Sequence, residues 1–189
     1  AGIKVKKFKN YNLISIEGQK DFKAFDLSIP GDISSAAFFI CLTLLSKNST
    51  IKIQDVGLNS TRTGIITILK KMNAQIKITN IKTICGEKVG NIIVKSSNLK
   101  STNCPASLVP FAIDEMPIIF LCAAKAKGVS SFVELGELEK KESRRLSLMN
   151  KILNQIGIRT LLKDDSIKIY GDPKLTLKNK SYKIKTMYD

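Results

Sequence analysis

The chain has 189 residues and a hydrophobic content of 43%, enough to bury a core, so an intrinsically disordered protein is excluded. Its formal charge is +15, yet aromatic residues make up only 6% and tryptophan is absent, so the stacking platform of a single-strand nucleic-acid binder is missing. The longest apolar run, 36–45, is too short to span a bilayer, and the first residues carry no basic-then-apolar leader pattern, which points to a cytoplasmic chain.

In chain order, residues 2–5 and 13–16 alternate apolar and polar side chains about the turn Lys9-Asn10-Tyr11-Asn12, the pattern of a strand pair. A polar link, 19–24, follows. Pro30-Gly31 then punctuates the exit of a strand, and Asp32 is placed to cap a helix from Ser34 to Leu45. A strand from Thr50 to Val56 ends at Gly57, and a polar loop with Arg62 leads to a helix over 64–73. That helix carries Ile65, Ile66, Leu69 and Met72 on one stripe. Strands follow at 74–84 and 91–94, joined by a loop through Gly86 and Gly90.

The same order then returns. A helix from about Asp114 to Lys127 leads to a strand from Val129 to Leu135 that ends at Gly136. A charged loop enters a helix over about 143–155, with Leu146, Met149, Leu153 and Ile156 on its stripe. A hairpin, 157–162 and 166–169, turns at Lys163-Asp164-Asp165, and 182–185 reads as a new strand. Two copies of strand–helix–strand–helix–strand–strand therefore occupy about 26–98 and 99–175, an α+β arrangement of repeated βαβαββ units. Residues 1–25 read as the closing hairpin of a truncated unit and 176–189 as the start of another, so the chain reads as an internal piece, incomplete at both ends.

Cys41, Cys85, Cys104 and Cys122 form no C-x-x-C pair, and histidine is absent, so a metal site has almost no ligands and the thiols read as free in a reducing compartment. The densest charged cluster, 137–145, enters the helix that starts near Ser143. Backbone N–H groups at a helix start favour anions, and Lys141 and Arg145 are spaced to face one direction. Arginine offers a planar fork to phosphate and carboxylate, and Glu142 is able to exchange protons with a bound substrate. A solvated, charged helix start accounts for the same residues. Asp114, ahead of Met116-Pro117, also has two readings: a helix N-cap, or a carboxylate that meets Lys141 across a strand end.

The stretch Phe111-Ala112-Ile113-Asp114-Glu115-Met116-Pro117, followed by Lys141-Glu142-Ser143-x-Arg145-Leu146, resembles the Asp-Glu-x-Pro and Lys-Glu-Ser-Asp-Arg-Leu signatures of the EPSP synthases. Pro30-Gly31-Asp32-Ile33-Ser34-Ser35-Ala36 and Asn59-Ser60-Thr61-Arg62-Thr63-Gly64 are similar to two more segments of that family, in the family's order. The resemblance implies the enolpyruvyl transferase fold, an inside-out α/β barrel of two domains with substrates bound between them. It implies transfer of the enolpyruvyl group of phosphoenolpyruvate to the 5-hydroxyl of shikimate 3-phosphate, in aromatic amino acid biosynthesis. No metal or organic cofactor is implied, nor a nucleic-acid or membrane partner, and the full-length enzyme is expected to be a monomer.

On this likeness Asp114 binds the shikimate hydroxyls and acts as base, and Lys141 contacts shikimate 3-phosphate and the reacting centre. Glu142 moves a proton at the phosphoenolpyruvate methylene, and Arg145 holds the phosphoenolpyruvate anion. The isolated chain is expected to show negligible turnover. Two positions depart from the family pattern: Arg144 stands where an acid is usual and Glu139 where a base is usual, which implies a swapped surface ion pair. The rival is a basic nucleic-acid-associated protein of the same repeat architecture, similar to RNA 3′-terminal phosphate cyclases. It rests on the charge of +15 and lacks the histidine such chemistry needs.

Overall fold

The computed structural model describes residues 4–8, 13–18, 21, 24, 26–141 and 143–176. The strand expected at 182–185 lies outside them, as does Glu142. The opening pair consists of β1 (Val5–Phe8) and β2 (Leu13–Ile16), antiparallel with Val5 opposite Ile16 and Phe8 opposite Leu13. Of the strand expected over 2–5, residues 2 and 3 lie outside the described residues, and the described strand begins at Val5.

Two three-stranded antiparallel sheets follow, with one topology. β3 (Thr50–Gly57), β4 (Gln75–Ile84) and β5 (Glu87–Lys95) lie in the order β3-β5-β4. β6 (Gly128–Phe132), β7 (Thr160–Lys163) and β8 (Ser166–Gly171) lie in the order β6-β8-β7. The first sheet carries helices α1 (Ile33–Leu45) and α2 (Gly64–Lys71). The second carries α3 (Met116–Lys125), the single turn α4 (Gly136–Glu139) and α5 (Arg145–Gln155). The strand expected to lead each copy is reduced to isolated parallel bridges: Gly31 with Val56, Lys100 with Lys127 and Asn103 with Ser131. Pro30 and Pro105, beside two of these bridges, have no N–H to extend the ladder.

Both copies feed one continuous core, in which α1 packs on α3. Ile40 and Leu44 of α1, Ile65 and Leu69 of α2, Ile119 and Phe120 of α3 and Leu153 of α5 are all at most 1% exposed. The Phe120 ring meets Phe132 of β6 edge-on at 5.0 Å. α1 is apolar nearly all round, and Phe38, Phe39 and Leu42 stay exposed on its far side.

Several boundaries differ from the sequence expectation for local reasons. Gly90 lies within β5 and not in a loop. The hairpin turns in two residues, Cys85 and Gly86, both at positive φ (50° and 84°), as the twist of the flanking strands requires. α3 is shorter than the 114–127 expected, because a 3-10 segment, Ala106–Phe111, and a turn precede it and Pro117 sits in its first turn. β6 stops at Phe132, short of Leu135, because Glu134 adopts φ 58° and leaves the extended region. Leu135 then turns inward, fully buried, with its N–H on the Asp165 carbonyl at 2.9 Å, and Gly136 opens α4.

Candidate functional site

Asp114 sits in the turn ahead of α3. Its Oδ1 is 3.3 Å from Lys141 Nζ and accepts from Arg145 Nη1 at 3.3 Å. Lys141 lies in the loop after α4, and Arg145 is the first residue of α5. The two cations are each about one-third exposed and the carboxylate half exposed, so the cluster opens to solvent. The N-cap position of α3 falls to Glu115, whose side chain makes no cap bond, so the contact with Lys141 displaces the N-cap reading of Asp114. Three of the four predicted site residues are thus together, and Glu142 lies outside the described residues.

Beside this cluster is a network that sequence reasoning did not assemble. Asp32 caps α1, its Oδ2 accepting from Ser35 N–H at 2.9 Å and from Ser35 Oγ at 3.1 Å. Arg62 Nη2 lies 3.2 Å from Asp32 Oδ1 and donates to Ser34 Oγ at 2.9 Å. Ser34 Oγ donates in turn to Oε1 of Glu115, which is only 6% exposed. Burial pushes the Asp32 carboxyl up, but bonds from Ser35 and Ser34 and the Arg62 charge outweigh it, and the group is held below its ordinary value. The four segments 30–36, 59–64, 111–117 and 141–146 therefore converge, and their shared membership in one pattern was the available signal. A small cavity of about 60 Å³ lies between Arg62, Phe111, Asp114 and Glu115. A larger cavity, about 640 Å³, lies at the other end of α1 and α3, against Leu44, Lys47, Lys125 and Lys127, and touches none of the predicted residues.

Two local features set the geometry. α2 starts so close to the 3-10 segment that a Cβ on Gly64 would stand 2.6 Å from the Phe111 carbonyl oxygen. That contact seats the stretch that carries Asp114. On the other side, Glu139 Oε1 accepts from Ser147 N–H at 2.6 Å, while exposed Arg144 makes no ion pair with it. The swapped ion pair expected for these two positions is absent because the Glu139 carboxylate is committed to the start of α5.

A family model described as EPSP synthase (3-phosphoshikimate 1-carboxyvinyltransferase) matches residues 1–189. The chain is 43% identical over 156 residues to the 3-phosphoshikimate 1-carboxyvinyltransferase of Petrotoga mobilis, covering 82% of this chain and 36% of that protein. Against that of Legionella pneumophila (strain Corby) it is 47% identical over 145 residues, covering 77% and 34%. The fold is similar to that of EPSP synthase from Acinetobacter baumannii, with TM-score 0.84, 37% identity, and coverage of 92% of this chain and 39% of that one. The enolpyruvyl transferase NikO from Streptomyces tendae shares the fold at TM-score 0.66 and 17% identity, over 91% of this chain and 38% of that one. The chain thus spans little more than a third of the length of the curated relatives it matches.

Proposed function

The chain belongs to the EPSP synthase (3-phosphoshikimate 1-carboxyvinyltransferase) family, and on that premise we propose that the protein carrying it moves the enolpyruvyl group of phosphoenolpyruvate onto shikimate 3-phosphate. The single observation that carries the reading is the juxtaposition of Asp114 with both Lys141 and Arg145. The cluster presents two cations suited to an anionic substrate beside a carboxylate able to take a proton.

In the proposed sequence, Asp114 takes the proton of the 5-hydroxyl as the hydroxyl oxygen bonds to C2 of phosphoenolpyruvate, and a proton adds to C3. The tetrahedral intermediate then loses a proton from C3, the C2–O bond to phosphate breaks, and the enol ether and inorganic phosphate result. Glu142 is assigned the proton at C3, Lys141 the reacting centre and the shikimate 3-phosphate oxygens, and Arg145 the phosphoenolpyruvate anion. Cations placed where charge develops lower the barrier. The partition of the chain into a closing hairpin (1–25), two units (26–98 and 99–175) and the start of a third (176–189) belongs to the same proposal, as do a cytoplasmic location, a monomeric full-length enzyme and the lack of a nucleic-acid or membrane partner. The family model and the relatives named above are all enolpyruvyl transferases and lend nothing to the nucleic-acid rival.

The test is phosphate release from phosphoenolpyruvate that depends on shikimate 3-phosphate, measured on the full-length protein. Asp114→Asn keeps the shape and removes the base, and kcat is expected to fall at least about 100-fold. A variant with the wild-type rate overturns the role of Asp114, and wild-type protein without this activity overturns the reading.

A further inference from the structure

The geometry points to Glu139 as a positioning residue: it caps α5 from outside the helix and thereby holds Lys141 and Arg145 against Asp114. What the two cations then hold rests on the proposed function above.

α5 begins badly by its own residues. Arg144, at the cap position, adopts φ 40° and ψ 59° and offers no side-chain acceptor. Arg144 and Arg145 both place positive charge at the positive end of the helix, which is unfavourable. Ser147 is the third residue of α5, and its amide is one that an N-cap side chain ordinarily satisfies. Glu139 supplies both of these, an acceptor 2.6 Å from that amide and a negative charge.

Glu139 is itself well anchored. It ends α4, next to Leu138, which is 0% exposed and donates its N–H to the Leu135 carbonyl at 2.9 Å. The fully buried Leu146 pins the helix end of the segment. The bond from Glu139 to Ser147 closes a loop that contains Lys141 and Arg145, the two cations on Asp114 Oδ1. Without it the Ser147 amide loses its acceptor, and the first turn of α5, which carries Arg145, is held less tightly. Misplacement by about 1 Å of a group that orients substrate is enough to cost a large part of its effect.

The experiment has two arms on the full-length protein. Amide hydrogen exchange at Ser147 reads the cap, and titration with phosphoenolpyruvate reads the cations. Glu139→Ala is expected to speed Ser147 exchange and weaken phosphoenolpyruvate binding, each by roughly fivefold. Glu139→Gln keeps an acceptor and should retain most of both. Glu139→Ala with Arg144→Asp places a short acceptor at the cap position and should recover both, a rescue that general destabilisation would not give. Unchanged Ser147 exchange in Glu139→Ala overturns the cap. Faster exchange with wild-type affinity overturns the positioning role. Wild-type protein that fails to bind phosphoenolpyruvate overturns the proposed function, while the exchange arm still decides the cap.

Discussion

Asp114 is half exposed, so its pairs with Lys141 and Arg145 are each worth only about 0–1 kcal/mol of stability. Stability therefore gives little reason for the cluster, and the proposed anion binding gives a better one. Asp32 differs, because it does structural work at the start of α1. Its folded-state carboxyl pKa lies below the unfolded value, so its contribution is complete above the unfolded pKa of about 3.9 and is lost as pH falls through the folded value. Asp32→Ala is expected to cost about 1 kcal/mol at pH 7, the usual worth of an N-cap. The gap from wild type should close on acidification below pH of about 3.9, as urea midpoints measured across pH will report. A gap that persists to low pH would show that the carboxylate is not what caps α1.

At the scale of elements, the close approach of α2 to the 3-10 segment couples the two copies. Gly64→Ala would drive a methyl into backbone atoms of Phe111, which have little freedom to yield. The expected cost is about 1–3 kcal/mol, by analogy with overpacking a core. Because Phe111 leads directly to Asp114, the same variant should lose activity beyond its loss of stability. Denaturant unfolding and steady-state rates, measured on the same samples, separate the two effects. A variant as stable and as active as wild type would mean that the helix can withdraw without moving the Asp114 turn.

For the molecule as a whole, the charge of +15 is mostly lysine, with arginine at four positions only: 62, 144, 145 and 159. Lys141, Arg145 and Arg62 are engaged by acidic partners near the convergence of the four segments. No helix among the described residues is long and apolar enough to cross a membrane. Under the proposed function the charge serves a solvated surface and a site for anions. Duplex DNA should bind no more tightly than the non-specific range of about 10⁻⁴ to 10⁻⁶ M at physiological salt, by fluorescence anisotropy. Tight and steeply salt-dependent binding would restore the nucleic-acid rival.

The repeat was legible in sequence because burial periodicity is a local signal. The stripes of α2 and α5 and the alternation along β4 and β8 recur in the same order, and the sheets share one strand order. Element ends were less legible. The Glu134 conformation that stops β6, the Cys85-Gly86 turn and the 3-10 segment before α3 are short backbone choices that side-chain periodicity does not report. The candidate site was legible as residue types at Asp114, Lys141 and Arg145, but residue types do not say which atoms meet. The bond from Glu139 to Ser147 and the chain from Arg62 through Ser34 to Glu115 join residues 8 to 81 positions apart. Such pairings depend on how helices seat on one another across a shared core, and only the tertiary structure decides them.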